Sequence, residues 1–218
     1  GVNSMKNQFL KSTVLLMALV LIASPLTTEA QENVPQEQCV SQAACQLKGD
    51  IRKLWTDHVM WTRLYIVSTL EGLDDQEKVL ARLLENQEDI GNAFKPYYGE
   101  APGNKLTELL KDHILLAGKV VDAAKSGNNA NFERYNKEWY KNADDIADFL
   151  SKANPNLPNE ELKEFLEMHL ELITEDVKAR LAKDWDSSII ALDKGIDHIL
   201  KLADTLSNGV VKQFPNKF

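Results

Sequence analysis

NKLTELLKDHILLAGKVVDA, residues 104–123, returns 56 residues later as EELKEFLEMHLELITEDVKA, residues 160–179. The same offset carries Asn86 and Asp89 to Asn142 and Asp145, and carries Asn142 on to His198. ADFL at 147–150 likewise matches ADTL at 203–206, and TDHV around His58 matches KDHI around His113 at an offset of 55. A repeat of this length is one supersecondary unit that cannot bury its apolar face alone, so the copies must cover one another. The unit is helical. From about Gly49 onward apolar residues recur at spacings of three and four, and no stretch alternates with period two.

Breaks rich in Gly, Pro, Asn and Asp fall at EGLDD (71–75), YGEAPGN (98–104), SGNN (126–129), NPNLPN (154–159) and KDWDSS (183–188). They predict six helices, over 49–70, 75–97, 104–125, 130–153, 159–182 and 186–213. Connections this short make successive helices antiparallel. The expected fold is therefore all-α: an up-and-down bundle of about six antiparallel helices built from three repeated hairpins, forming one domain over 49–218.

Residues 1–48 have a different character. Lys6 and Lys11 precede the apolar run VLLMALVLIA (14–23), followed by Pro25 and the small-residue end TEA. This is the pattern of a secretory signal peptide over 1–30, with a run too short for a comfortable membrane span. Its removal after Ala30 takes away Lys6, Lys11 and Glu29 and moves the formal charge from −8 to −9. An acidic chain with no basic stripe is expected to bind neither nucleic acid nor an anionic membrane surface. The mature protein is expected to be secreted, with no stable membrane anchor. Residues 31–48 read as a polar leader, in which Cys39 and Cys45 would form a small disulfide outside the cytoplasm.

All four histidines, His58, His113, His169 and His198, fall in the middle of apolar helix faces when positions are advanced by 100° per residue. Asn86 and Asn142 lie inside as well, while Asp89 and Asp145 lie at the edge of the stripe, about 100° from its isoleucines. In an antiparallel hairpin, residues equidistant from the turn share a height. By that measure His58, Asp89, His113, Asp145, His169 and His198 occupy one slab. Buried imidazoles need hydrogen-bond partners or a metal. Four of them with two carboxylates suit zinc, iron, manganese or copper. The expected ligands are thus His58, His113, His169, His198, Asp89 and Asp145. Asn86 and Asn142 would orient them, and Asp57, Asp112 and Asp197, each preceding a histidine, would orient the rings.

Non-covalent haem between facing histidines is a lesser alternative. Glu-x-x-His, His-Glu-x-x-His and Cys-x-x-Cys-His patterns are all missing. The competing account of the same residues is a closed histidine–asparagine network that fixes helix register. A third has the layer doing acid–base work in a small hydrolase or transferase, since histidine ordinarily titrates near neutrality. No strand–helix alternation surrounds Asp184-Trp185-Asp186, which stands where a helix begins and reads as its cap. Arg63 would bind an anion or pair with surface carboxylates, and the aromatic KPYYG (95–99) would pack at a helix end.

DHVMWTR (57–63), NQEDIGNAFKPYYG (86–99), LLKDHI (109–114) and DHILKLADTLSNGVVKQFP (197–215) resemble a family of secreted or uncharacterised bacterial all-helical proteins. Its members often carry the label glycosyltransferase, which no residue here supports. The resemblance covers roughly residues 50–215 and implies a single helical domain without assigning an activity. From the residues themselves, the leading expectation is an extracytoplasmic metal-binding bundle. A non-catalytic structural or interaction protein, with a protein partner not specified by sequence, is the alternative.

Overall fold

The computed structural model describes residues 41–218, and among these the secondary structure is helical throughout, without strands. Six long helices follow one another: α1 (Gln42–Glu71), α2 (Gln76–Tyr98), α3 (Glu100–Lys125), α4 (Asn129–Ala153), α5 (Asn159–Leu181) and α6 (Trp185–Gln213). A 3-10 turn, Pro215–Lys217, ends the chain. Each helix packs on its neighbours in chain order and α6 returns to α1, so the six close into a ring. The odd-numbered helices also meet across the interior, α1 with α3 and α3 with α5. The up-and-down bundle is thus the fold, and its repeating unit is the helical hairpin. The signal segment, Cys39 and most of the leader lie outside the described residues.

Local chemistry sets the ends. Ser41, Asn128 and Asp184 each accept a bond from a backbone N–H three residues on, satisfying a donor that the first turn leaves open. Asp184 therefore caps α6, as its position in the sequence suggested. Gly72 and Gly127 end α1 and α3 with φ of 68° and 66°, a conformation glycine adopts without a Cβ penalty.

Two boundaries differ from the sequence expectation. Helix α3 starts at Glu100 rather than 104, because Pro102 sits in the first turn, where its missing N–H is not needed. Helix α1 starts at Gln42 rather than Gly49, so the second part of the expected leader is helical. Ala44 and Leu47 are buried in phase with Ile51 and Trp55, but the adjacent Ala43 and Cys45 are apolar too and exposed, so the run QAACQLK shows no clean period. Cys45 lies exposed near the start of this helix.

The main core runs through all six helices and includes Ile90, Ile146, Leu162, Leu170, Ile199 and Val210, all 0–1% exposed. Each such side chain contributes about 1.5–3 kcal/mol by leaving water. At one end, KPYYG meets the chain terminus. Tyr97 stacks on Phe218 with ring centroids 5.6 Å apart, and Tyr98 packs edge-on to Phe214 at 5.2 Å. The Tyr98 hydroxyl donates to Gln213 Oε1 at 2.9 Å and accepts from Asn154 Nδ2 at 2.9 Å.

Helices α2 and α3 approach closely at Gly91. A methyl group there would overlap Thr107 Oγ1 and stand 2.7 Å from the Gly103 carbonyl oxygen. Buried Gly195 in α6 is the opposite case, since a methyl group there would meet no other atom within 4 Å. Overpacking that moves backbone costs about 1–3 kcal/mol, more than the roughly 1 kcal/mol of helix propensity gained by replacing glycine with alanine. Gly91→Ala should therefore lower the stability measured by urea unfolding, whereas Gly195→Ala should raise it by up to about 1 kcal/mol.

Candidate functional site

Helices α1, α3 and α5 bring His58, His113 and His169 together in the interior, each 2–3% exposed. The His58 and His169 rings have centroids 5.5 Å apart, and His113 stacks on His169 at 6.2 Å. His169 is thus the middle ring. The three follow from the repeat, which places one histidine on the inner face of the first helix of every hairpin.

The second helix of each hairpin answers with one polar side chain. Asn86 Nδ2 donates to the Leu54 carbonyl at 3.1 Å, Asn142 Nδ2 to the Leu109 carbonyl at 3.1 Å, and His198 Nε2 to the Phe165 carbonyl at 2.8 Å. Leu54, Leu109 and Phe165 each stand four residues before a layer histidine. A carbonyl oxygen has a second lone pair beyond its helical bond, and these donors use it. His198 therefore occupies the place of an asparagine. The 56-residue register had already aligned it with Asn142, and it belongs with the carbonyl-binding set rather than as a fourth ring of the inner cluster.

Only the middle hairpin completes its network. Trp139 Nε1 donates to His113 Nε2 at 3.1 Å, and His113 Nδ1 donates to Asn142 Oδ1 at 2.7 Å. An indole only donates, so Nε2 must accept and the ring proton sits on Nδ1. In the first hairpin Asn86 Oδ1 is taken by Gln87 Nε2 at 3.0 Å. Neither His58 Nδ1 nor Gln87 Oε1 reaches a partner at hydrogen-bonding distance among the described residues. In the third hairpin, with an imidazole in place of the amide, His169 Nδ1 is also left without a partner. Each such buried group costs about 1–3 kcal/mol.

Burial makes all three rings hard to protonate. His58 is pushed down to about 3, first by desolvation and then by His113, with the nearby Gln87 side chain opposing. Desolvation lowers His113 to about 4 against the favourable bond to Asn142. His169 is held well below the usual imidazole range by desolvation and then by the charges of His58, His113 and His198. At neutral pH the three are uncharged, and none is poised to exchange protons there, as acid–base catalysis would require.

The carboxylates do not join them. Asp89 is exposed and pairs with Arg82 at 3.5 Å, while exposed Asp145 accepts both bonds of Lys141 at 2.8 and 2.7 Å. Asp57 pairs with Lys53 on its own helix, and Asp112 and Asp197 are exposed. An angle of about 100° from the stripe turns each carboxylate to water, and desolvating it would cost several kcal/mol. Among the described residues no three His, Cys, Asp or Glu side chains form a group able to hold a metal ion. The expected six-ligand set, with Asp57, Asp112 and Asp197 behind it, is corrected accordingly.

A second polar cluster, which sequence reasoning missed, lies beside the layer. Asp176, 3% exposed, accepts from Ser188 Oγ at 2.7 Å and from Arg63 Nη1. Arg63 thus pairs with a buried carboxylate rather than a surface one. The signal was available in the repeat: Asp176 and Ser188 stand where the middle hairpin has Val120 and Phe132. No family model matches the chain, and no curated protein or solved structure matches it either.

The lowered imidazole affinities fix a sign for pH dependence. The unfolded chain takes up protons near pH 6.5 that the folded layer refuses until about pH 4 or below. The layer's contribution to stability should thus be full above pH 6.5 and fall as pH decreases. The loss should reach up to about 4 kcal/mol per pH unit if three protons are taken up together. Most carboxylates titrate lower, so proton uptake on urea unfolding between pH 6.5 and 5 isolates the histidines. His113→Gln should remove about a third of that uptake.

Proposed function

We propose that this is an extracytoplasmic, non-catalytic helical-bundle protein whose histidine–asparagine layer fixes the register of three hairpins, leaving its surface to engage partners. The observation that carries the reading is the bond made once in every hairpin, from Asn86, Asn142 or His198 to the carbonyl four residues before the inner histidine. A ligand centre would direct polar atoms at a common point, whereas here each second-helix donor is spent on its own hairpin. A slip by one residue would move every donor about 1.5 Å along and 100° around its helix, breaking all three bonds together. Buried polar groups used in this way select one register among the many that apolar faces permit.

A second reading is favoured by one specific feature. His58 and His169 carry unpartnered Nδ1 atoms on rings 5.5 Å apart, and two neutral imidazoles can bind zinc or copper. His113 would stay outside such a site, since both its nitrogens already have partners, and water would supply the remaining ligands.

Asn142→Leu and the triple change His113→Leu, Asn142→Leu and Trp139→Phe separate the two. In the register reading the single variant strands His113 Nδ1–H and loses about 1–3 kcal/mol. The triple variant recovers part of that, because it removes the Trp139 N–H that donates to His113 along with both other partners and leaves no orphan. Elemental analysis of untagged protein should give less than stoichiometric metal in the unaltered protein and both variants. Stoichiometric metal lost on His58→Ala or His169→Ala would favour the second reading. Mass measurement of the protein recovered from outside the cell should show a mature chain beginning at Gln31.

A further inference from the structure

The third hairpin departs from the second at three core positions. Trp139, Phe132 and Val120 share one apolar wall beside α5, and the repeat places Gly195, Ser188 and Asp176 at the equivalent positions. Where the second hairpin sets an indole against its histidine, the third has no side chain. The result is a recess between α1, α5 and α6, holding about 310 Å³ of atom-free space that is partly open to solvent. Its enclosed part has room for about one water molecule. Gly195 faces unfilled space, since a methyl group there would meet no atom within 4 Å.

The polar groups around this recess are Arg63, Asp176 and His169, set among apolar walls that include Val59, Leu172 and Leu192. Few polar groups in a mostly apolar concavity is the usual make-up of a small-molecule site. A buried ion pair is also weak evidence for stability, because well-packed apolar side chains commonly do as well or better. Both protein bonds to Asp176 fall on Oδ1, from Arg63 and Ser188. Arg63 spends Nη1 on Asp176 and has further N–H donors in its planar fork. His169, buried with its Nδ1 unpartnered, offers a lone pair when its ring proton sits on Nε2.

The charges decide the class of ligand. Arg63 and Asp176 cancel, so a carboxylate entering the recess meets the Asp176 carboxylate and an ammonium meets the Arg63 guanidinium. A neutral group that both accepts and donates meets neither penalty. A planar primary amide does so, with its oxygen accepting from Arg63 and its NH₂ donating to Asp176. We propose that the recess between α1, α5 and α6 is a binding site for small neutral primary amides, which enter head-first and leave their alkyl end against the apolar rim.

Propionamide, propionate and propylammonium share a size and differ in charge, so titration of the purified protein with each, followed by the backbone NMR signals of His169 and Gly195, tests the site. Propionamide should move both signals saturably in the millimolar range, as expected of so few heavy atoms, and the two ions should bind at least about tenfold more weakly (about 1.4 kcal/mol). Gly195→Leu, which fills the recess, should weaken propionamide binding by about the same factor while the melting transition persists. Asp176→Asn leaves Arg63 without its counter-charge and should reverse the order in favour of propionate. Equal binding of the three probes, the absence of saturable shifts with propionamide, unaltered affinity in a folded Gly195→Leu protein, or an unchanged order in a folded Asp176→Asn protein would each overturn the proposal. If neither variant folds, the charge discrimination by the unaltered protein decides it.

Discussion

Side-chain N–H groups on α2, α4 and α6 reach across their hairpins to carbonyls that already hold a helical hydrogen bond, and the interior of the bundle is arranged around these three contacts. Apolar faces alone hold six helices together but permit sliding, because one leucine against another is worth nearly the same one turn away. A buried amide or imidazole tolerates no such freedom, since its partner must lie at one height and one angle. The three contacts repeat at Leu54, Leu109 and Phe165, each four residues before an inner histidine. That common offset sets the inner imidazoles at one level and explains why they meet.

The three hairpins share a frame but not a finish. In the second, His113 is bonded at both nitrogens, by Trp139 and Asn142, and neither ring nitrogen is left over. In the first, Gln87 diverts the Asn86 oxygen, and in the third an imidazole replaces the amide, so both neighbours of the satisfied hairpin retain an orphaned Nδ1. Two such groups at about 1–3 kcal/mol each are a notable burden for a domain whose net stability is of order 5–15 kcal/mol. Departures from local rules of this kind concentrate where a protein has some other use for the position. The Arg63–Asp176 pair and the unfilled space at Gly195 lie beside one of them, on the α5–α6 side.

The helices and their turns were legible because period and punctuation agreed. Strong breakers such as EGLDD and NPNLPN stand between amphipathic runs, and only where a proline fell in a first turn, or where apolar residues before Gly49 kept no period, did a boundary move. The inner histidines were legible for the same reason, as positions on apolar stripes at matched heights. What height cannot give is direction. Asp89 and Asp145 stand at the stripe's edge, where a carboxylate and an isoleucine part company, and the carboxylate takes a surface lysine or arginine. The partnerships of Trp139, Gln87 and Asp176 depend on side-chain reach between helices, which periodicity within one helix does not encode. The repeat did encode one hint, aligning His198 with the asparagines, and another in the replacement of Trp139 by Gly195.

One joint in the ring has no turn to define it. Neighbouring helices elsewhere are tied by connections of a few residues, but α1 and α6 meet across the whole length of the domain, and α1 must also settle against α5. Polar contacts are concentrated there. Asp204 of α6 accepts from Arg52 at 2.6 Å through both oxygens and lies 3.4 Å from Lys48, while Glu71 of α1 pairs with Arg180 of α5 at 3.2 Å. Partly exposed pairs of this kind contribute little net stability, about 0–1 kcal/mol each. Their value lies in discrimination, because any other docking of the first helix against the last two would leave these charges unmatched or opposed to like charges. The buried Arg63–Asp176 pair extends the same series into the interior. The closing joint of the ring is thus specified by charge where the other joints are specified by chain connection, and beside it stand Arg63 and Asp176, whose places in the second hairpin are taken by Gly118 and Val120.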